Sequence, residues 1–266
     1  MKITRLGHSM FRIDSVEGKV LLVDPWIKGN PTCPEEYKNP EKLKEIDAIL
    51  ITHGHFDHTN GVKEIQDANP NAVLYGQYEQ LLWMISEGAT NPSFLNIGGT
   101  DIFHNIKITM VTATHTSGYR EQVGKVQYAG TSSGYVITLE NDYKIYISGD
   151  TGLTADMTII RDYYKPDLVV LSVADVLTMG PDAACYAAGT LLDAKHVIPC
   201  HDYPEPTDAP SPVEMEQTLE DLPLVHKLLN RSEQFKTLMA EKHPHIKVTV
   251  LGYGESLELS EFARLK

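Results

Sequence analysis

The chain has 266 residues and a formal net charge of -13, with 42% apolar and 22% charged residues, a balance that allows a substantial core and excludes extended disorder. So acidic a chain is a poor non-specific binder of nucleic acid or anionic membrane, and neither partner is expected. No run approaches the ~20 apolar residues that span a bilayer, and MKITRLGHSMF lacks the apolar region of a signal peptide, so a cytoplasmic setting is expected.

Taken in order, ITRLGHSMFRID and KVLLVDP are rich in branched and aromatic residues, and Gly18 between them suggests a hairpin. A proline-marked loop follows from Trp26 to Pro40. Asp47 to Thr52 reads as a strand, VKEIQDAN as a helix stopped by Pro70, AVLYG as a strand and QYEQLLWMISEG as a helix ending at Gly88. IKITMVTATH is a long strand reaching His115. GYVITLENDYKIYISGDT is a hairpin turning at Asn141-Asp142, and its second strand leads to Asp150. DLVVLSVA and HVIPC are apolar strands, the latter leading to His201. Pro212 to Lys242 is helix-compatible with a break at Pro223, and KVTVLGYGESLEL is a terminal strand or hairpin. With no repeats and no flexible linker, one domain over residues 1–266, built of two sheets with covering helices, is expected.

Four strands thus lead into metal-capable residues. In ITHGHFDH, three histidines and one aspartate fall within six residues. Residues two apart in extended chain point the same way, so His53 and His55 can converge on one ion, while Asp57 and His58 turn toward another. Such a donor set suits a borderline divalent cation: zinc first, with manganese, iron and nickel as alternatives. The competing account is a histidine-rich turn. His115 alone reads as a surface or core-edge residue, Asp150 as a helix cap, and His201 as either a ligand or a strand-end residue. Their joint presence beside H-x-H-x-D-H favours a metal site. The odd cysteine count (Cys33, Cys185, Cys200) fits a reduced compartment, and Cys200 reads as a small buried apolar residue.

THGHFDH, TATHTSG, ISGDTG and IPCHDYP together resemble the metallo-β-lactamase superfamily of metal-dependent hydrolases over nearly the whole chain. LGHSMF, LLVDPW with Gly29-Asn30-Pro31, and GYVI resemble its small cytoplasmic branch containing sugar-phosphate lactonases of the ascorbate-lactonase type. The resemblance implies an α/β, four-layer αββα sandwich with two mixed sheets. It implies one ion on His53, His55 and His115, a second on Asp57, His58 and His201, and Asp150 bridging both. Electron-transferring members with this fold often carry glutamate at the second histidine, and His55 stands there, which favours hydrolysis.

Two ions ~3.5 to 4 Å apart can share and acidify a water, so the expected activity is hydrolysis of a small ester, lactone or phosphoester by a bridging hydroxide. A phosphodiesterase and a non-catalytic metal-binding protein are the alternatives. Asp57, Asp150 and His8 are the catalytic candidates, although His8 could equally be a strand-turn residue. Asp24 either supports a ligating histidine or caps a turn. Asn30, Tyr119 and Arg120 are candidate substrate contacts, with Arg120, Lys28 and Lys125 as phosphate contacts, against a plain solvated face. A homo-oligomer is an expectation of the resemblance only.

Overall fold

Side chains alternate across a strand, and in this chain both faces of the central strands are apolar. The computed structural model describes residues 1–122 and 125–259, the side chains of residues 120–122 excepted. The strands β1 (Lys2–Arg5), β2 (Phe11–Asp14), β3 (Val20–Val23), β4 (Ala48–Leu50), β5 (Val73–Gln77) and β6 (Pro92–Leu95) form the first sheet. β7 (Thr100–Phe103) and β8 (Ile106–Thr112) begin the second. A separate ribbon, β9 (Gly118–Gln122) and β10 (Lys125–Tyr128), precedes β11 (Ser133–Thr138), β12 (Lys144–Ile147), β13 (Leu168–Ser172), β14 (His196–Cys200) and β15 (Lys247–Val248). β16 (Ser256–Glu258) returns to pair with β1. Both sheets are mixed: β3 to β6 and β12 to β15 run parallel, and the remaining pairs within the two sheets antiparallel.

The alternation sorts side chains into layers. Leu21, Val23 and Leu50 meet Met110, Tyr135 and Ile137 between the sheets. Their neighbours Leu22 and Ile49 point outward onto Val62, Ile65 and Leu81 of the first helical layer. Val136 and Val169 point outward onto Ala184, Phe235 and Met239 of the second. The result is the expected αββα sandwich, and strands apolar on both faces are its signature.

Three expectations need correction. The first apolar run is two strands, because the chain bends at Gly7 to Ser9 before pairing β2 with β1. The strand toward His115 stops at Thr112, leaving that histidine on a loop. KVTVLGYGESLEL is no hairpin: β15 joins the second sheet and β16 the first, with Gly254 at φ +83° in the turn between them. The helical stretch does break at Pro223, dividing the helix Pro212–Asp221 from Arg231–Lys242.

One buried ion pair ties this scaffold to the end of β14. Arg5 Nη2 donates to Asp202 Oδ1 at 2.9 Å, and the same carboxylate accepts from the Ser232 amide and hydroxyl at 2.8 and 2.7 Å. Arg5 also donates to the Leu251 and Gly7 carbonyls and lies over the Tyr253 ring. Removing one member of such a pair strands a buried charge, so Asp202→Ala should lower stability by about 3 to 5 kcal/mol, measured from urea unfolding midpoints beside a milder Asp202→Asn.

Candidate metal centre

Loops that follow β4, β8, β12 and β14 bring the site together. Because β8 and β12 both run antiparallel to β11, and β14 runs parallel to β12, the exits of these three strands share one edge of the second sheet. The β4 exit supplies His53, His55, Asp57 and His58 from the facing sheet.

Two glycines explain the close approach. A Cβ on Gly54 would collide with that of Ala129, so the residue between His53 and His55 has no room for a side chain. Gly149 adopts φ +60°, and a Cβ there would lie 2.5 Å from the Ser133 carbonyl oxygen. Asp24 and His201 also occupy the left-handed region, at φ +50° and +73°. Non-glycine residues held there are strained, and such strain gathers at functional sites.

The donors converge on two carboxylate oxygens. Asp150 Oδ2 lies 2.7 Å from His201 Nε2, 3.5 Å from His58 Nε2, 3.6 Å from His115 Nε2 and 3.9 Å from His53 Nε2. Asp57 Oδ2 lies 3.4 Å from His58 Nε2, 3.6 Å from His201 Nε2 and 3.8 Å from His8 Nε2. Ligands ~2.0 to 2.2 Å from a tetrahedral ion stand roughly 3.3 Å apart, so most of these separations suit donors around a shared cation. Three sets could each hold an ion: His53 with His55 and His115, His8 with Asp57 and His201, and His53 with His58 and Asp150.

The surroundings orient the donors. Asp24 Oδ2 accepts from His58 Nδ1 at 2.8 Å and from the Thr52 hydroxyl at 2.7 Å. The single Thr52 proton being spent there, its oxygen accepts from His53 Nδ1 at 3.0 Å. One carboxylate therefore sets two tautomers, turning the Nε2 lone pairs of His53 and His58 toward Asp150. His8 Nδ1 similarly faces the Asp202 carbonyl at 3.3 Å, leaving Nε2 toward Asp57. His58 Nε2 and Asp150 Oδ1 are buried without a hydrogen-bond partner, and the short His201–Asp150 approach lacks hydrogen-bond alignment. Buried polar atoms are ordinarily satisfied, and a divalent cation satisfies these, so the residues fit the metal pair.

Not every candidate comes to the site. Asn30 is fully buried; its amide donates to the Trp26 carbonyl and its oxygen accepts from Thr32, so it shapes the 26–33 loop and does not line the cavity over the donors. Tyr119 stacks on Trp83 at 3.9 Å in a separate depression. Arg120 lies on β9, and its side chain falls outside the described residues. Lys28 and Lys125 are exposed and line no part of that cavity. Sequence reasoning passed over Thr52, and also Tyr203, whose ring stacks on His8 at 4.2 Å. Adjacency to His53 and His201 was the available signal for both.

Residues 19–201 match the family model described as a beta-lactamase superfamily domain, and the chain belongs to that superfamily. Within it, the chain is 39% identical over 221 residues to a UPF0173 metal-dependent hydrolase of Koribacter versatilis, covering 83% of this chain and 92% of that protein. A UPF0173 metal-dependent hydrolase of Roseiflexus castenholzii is 41% identical over 201 residues, 75% of this chain and 81% of that one. The UPF0173 metal-dependent hydrolases are thus its family. Among solved structures, the metallo hydrolase Igni18 of Ignicoccus hospitalis superposes with a TM-score of 0.74 at 27% identity, covering 96% and 97% of the two chains. An isothiocyanate hydrolase from Delia radicum gut bacteria has the same fold, with a TM-score of 0.69 at 22% identity over 97% and 99% of the chains.

Electrostatics make metal uptake pH-dependent. Burial opposes protonation of His201, but Asp150 and Asp57 outweigh it and hold its pKa at about 9; His58 is raised in the same way by Asp150, Asp57 and Asp24. Burial and neighbouring imidazoles instead keep His8 and His53 neutral, well below the usual range. A raised pKa means a proton held at neutral pH that a cation must displace. Apparent metal affinity should therefore rise with pH from neutrality through about 9, where His201 loses its proton, and calorimetry at pH 7 in buffers of different ionisation heat should detect released protons. Asp24→Asn should weaken metal binding about 10- to 100-fold, read by chelator competition.

Proposed function

We propose that this protein hydrolyses a small ester or lactone at a binuclear metal centre. The observation that carries the reading is the position of Asp150 Oδ2, within 3.9 Å of imidazole nitrogens from His53, His58, His115 and His201. In this reading His53, His55 and His115 would hold one ion, Asp57, His58 and His201 the other, and Asp150 would serve both. His8 joins the second set through its Nε2. Bound divalent ions would supply Lewis acidity and a water acidified toward neutral pH; zinc leads on donor chemistry, ahead of manganese, iron and nickel.

The chain's own groups do the rest. Asp24 fixes the rings of His58 and, through Thr52, His53, so that the donors need no reorganisation during turnover. Against the opposing effect of burial, the neighbouring His58 and His201 hold Asp57 and Asp150 well below the usual carboxylate range. Both carboxylates would balance the cationic charge, and Asp57 can orient the attacking water. The His8 ring, wedged between Tyr203 and His201, holds its Nε2 at the cavity wall. The lactonase-like branch supports an acyl substrate, and a small molecule fits a cavity of about 600 Å³ over the donors.

Asp150→Asn should retain the fold while losing metal and at least about 10²-fold in turnover, since the ions' contribution amounts to several kcal/mol. Metal analysis, with ester, lactone and phosphodiester panels in added zinc or manganese, checks this. Two bound ions with unchanged turnover in the variant would remove the bridging role; phosphodiester cleavage without ester or lactone cleavage would replace the acyl reading.

A further inference from the structure

The walls of the cavity say more about the substrate than its floor. Its floor is the donor set, including His55, Asp57, His115, Asp150 and His201. Its walls are built mostly from apolar side chains: Phe56, Val126, Leu177, Leu222, Leu224 and Leu228. Leu228 is buried, whereas Phe56, Leu177, Leu222 and Leu224 keep between 37% and 47% of their surface exposed although they border a concave space. Exposed apolar side chains gathered this way mark a binding surface. No lysine or arginine lines the cavity among the described residues.

Two further features belong to these walls. Leucines 222, 224 and 228 come from the turn that follows the helix Pro212–Asp221, beyond residue 201, where the superfamily match ends. Elsewhere on the wall, Asp175 and Val176 both hold positive φ, +72° and +50°, immediately before Leu177. A β-branched residue rarely adopts that conformation, and the surrounding structure must hold it there. The chain thus maintains a strained turn at the base of one apolar wall.

Resting on the hydrolase reading above, we infer that the substrate is a neutral ester or lactone with an extended apolar group, seated among Phe56, Leu177 and the leucines of residues 222–228. A phosphate group carried away from the reacting carbon would face leucines, with no cationic fork among the described residues to receive it, and unpaired burial of such a charge is costly. An alkyl or aryl group gains from the same surface. In the reaction the water oxygen bonds to the carbonyl carbon, the bond from that carbon to the leaving oxygen breaks, and the leaving oxygen takes the proton. An acid and an alcohol, or a hydroxy acid from a lactone, result.

The test uses the full-length, metal-loaded protein. The first panel is a series of neutral p-nitrophenyl esters and γ-lactones with growing alkyl chains, beside a phosphorylated sugar lactone and bis-p-nitrophenyl phosphate. The second measurement is calorimetric binding of unreactive alkanamides of four to ten carbons. Both kcat/KM and alkanamide affinity should rise up to about fourfold per methylene, the increment of burying one CH₂. Leu224→Glu should cut kcat/KM for the octanoyl ester and decanamide affinity at least tenfold and flatten both series, with Leu177→Ser as a second variant in the same lining. Esters cleaved with no dependence on chain length, or a preferred phosphorylated lactone whose turnover falls in Arg120→Gln, would overturn the inference and leave the hydrolase reading standing. Two bound ions with no turnover of any ester, lactone or phosphoester would instead remove the hydrolase reading, and this substrate with it, even if alkanamides bind.

Discussion

Asp57 and Asp150 each point an Oδ2 atom into a cluster of imidazoles, and almost everything particular about this chain follows from holding that cluster away from water. Buried carboxylates and histidines at mutual distances of 2.7 to 3.9 Å form a charged assembly that apolar packing cannot stabilise. Protons can stabilise it in part, which is why His58 and His201 are shifted toward their charged forms. Divalent cations do so with a geometry that protons cannot impose, because each ion fixes several donors at once.

The two-sheet scaffold makes this arrangement mechanically credible. Strands such as β13 and β14 are buried on both faces, so their ends are held from both sides. The donors then sit on short loops just beyond those ends, where a rigid support meets freedom of side-chain choice. Asp24, Gly149 and His201 all take left-handed backbone conformations at strand exits, which puts strain at the two non-glycine positions. Asp202 anchors the residue after His201 to Arg5 and Ser232, so the strain at His201 is opposed by a buried ion pair one residue away. Support and strain alternate along the chain over very few residues.

This division explains what could be read in the sequence. The ITHGHFDH cluster was legible because its donors are contiguous, and Asp150 and His201 because each follows an apolar run that could only be a buried strand. Asp24 was legible as a supporting group for the same reason. Asn30 misled because a polar residue in a Gly-Asn-Pro loop looks exposed, whereas this one folds back to satisfy Trp26 and Thr32 in the interior. The fate of KVTVLGYGESLEL was hidden since local pattern gives a strand's existence and not its partner. Leucines 222 to 228 lie in a helix-compatible segment, where apolar residues at such spacing read as core; only the tertiary arrangement turns them toward the donors.

The donors and the leucines of residues 222–228 thereby occupy different parts of the polypeptide. Apart from His8, the donors lie between residues 53 and 201, within the part shared with the superfamily. Leu222, Leu224 and Leu228 of the apolar wall come from a later segment, whose Val225 and Leu228 pack with Trp26 and Tyr203. Tyr203 in turn stacks on His8, and Trp26 meets the His8 ring edge-on at 6.1 Å. The wall is therefore continuous with the side chains that position a metal-facing histidine. Replacing the 212–228 segment could change which substrate fits without moving Asp150, but it could not leave His8 untouched. Tyr203 thus joins the 212–228 segment to His8 through direct packing.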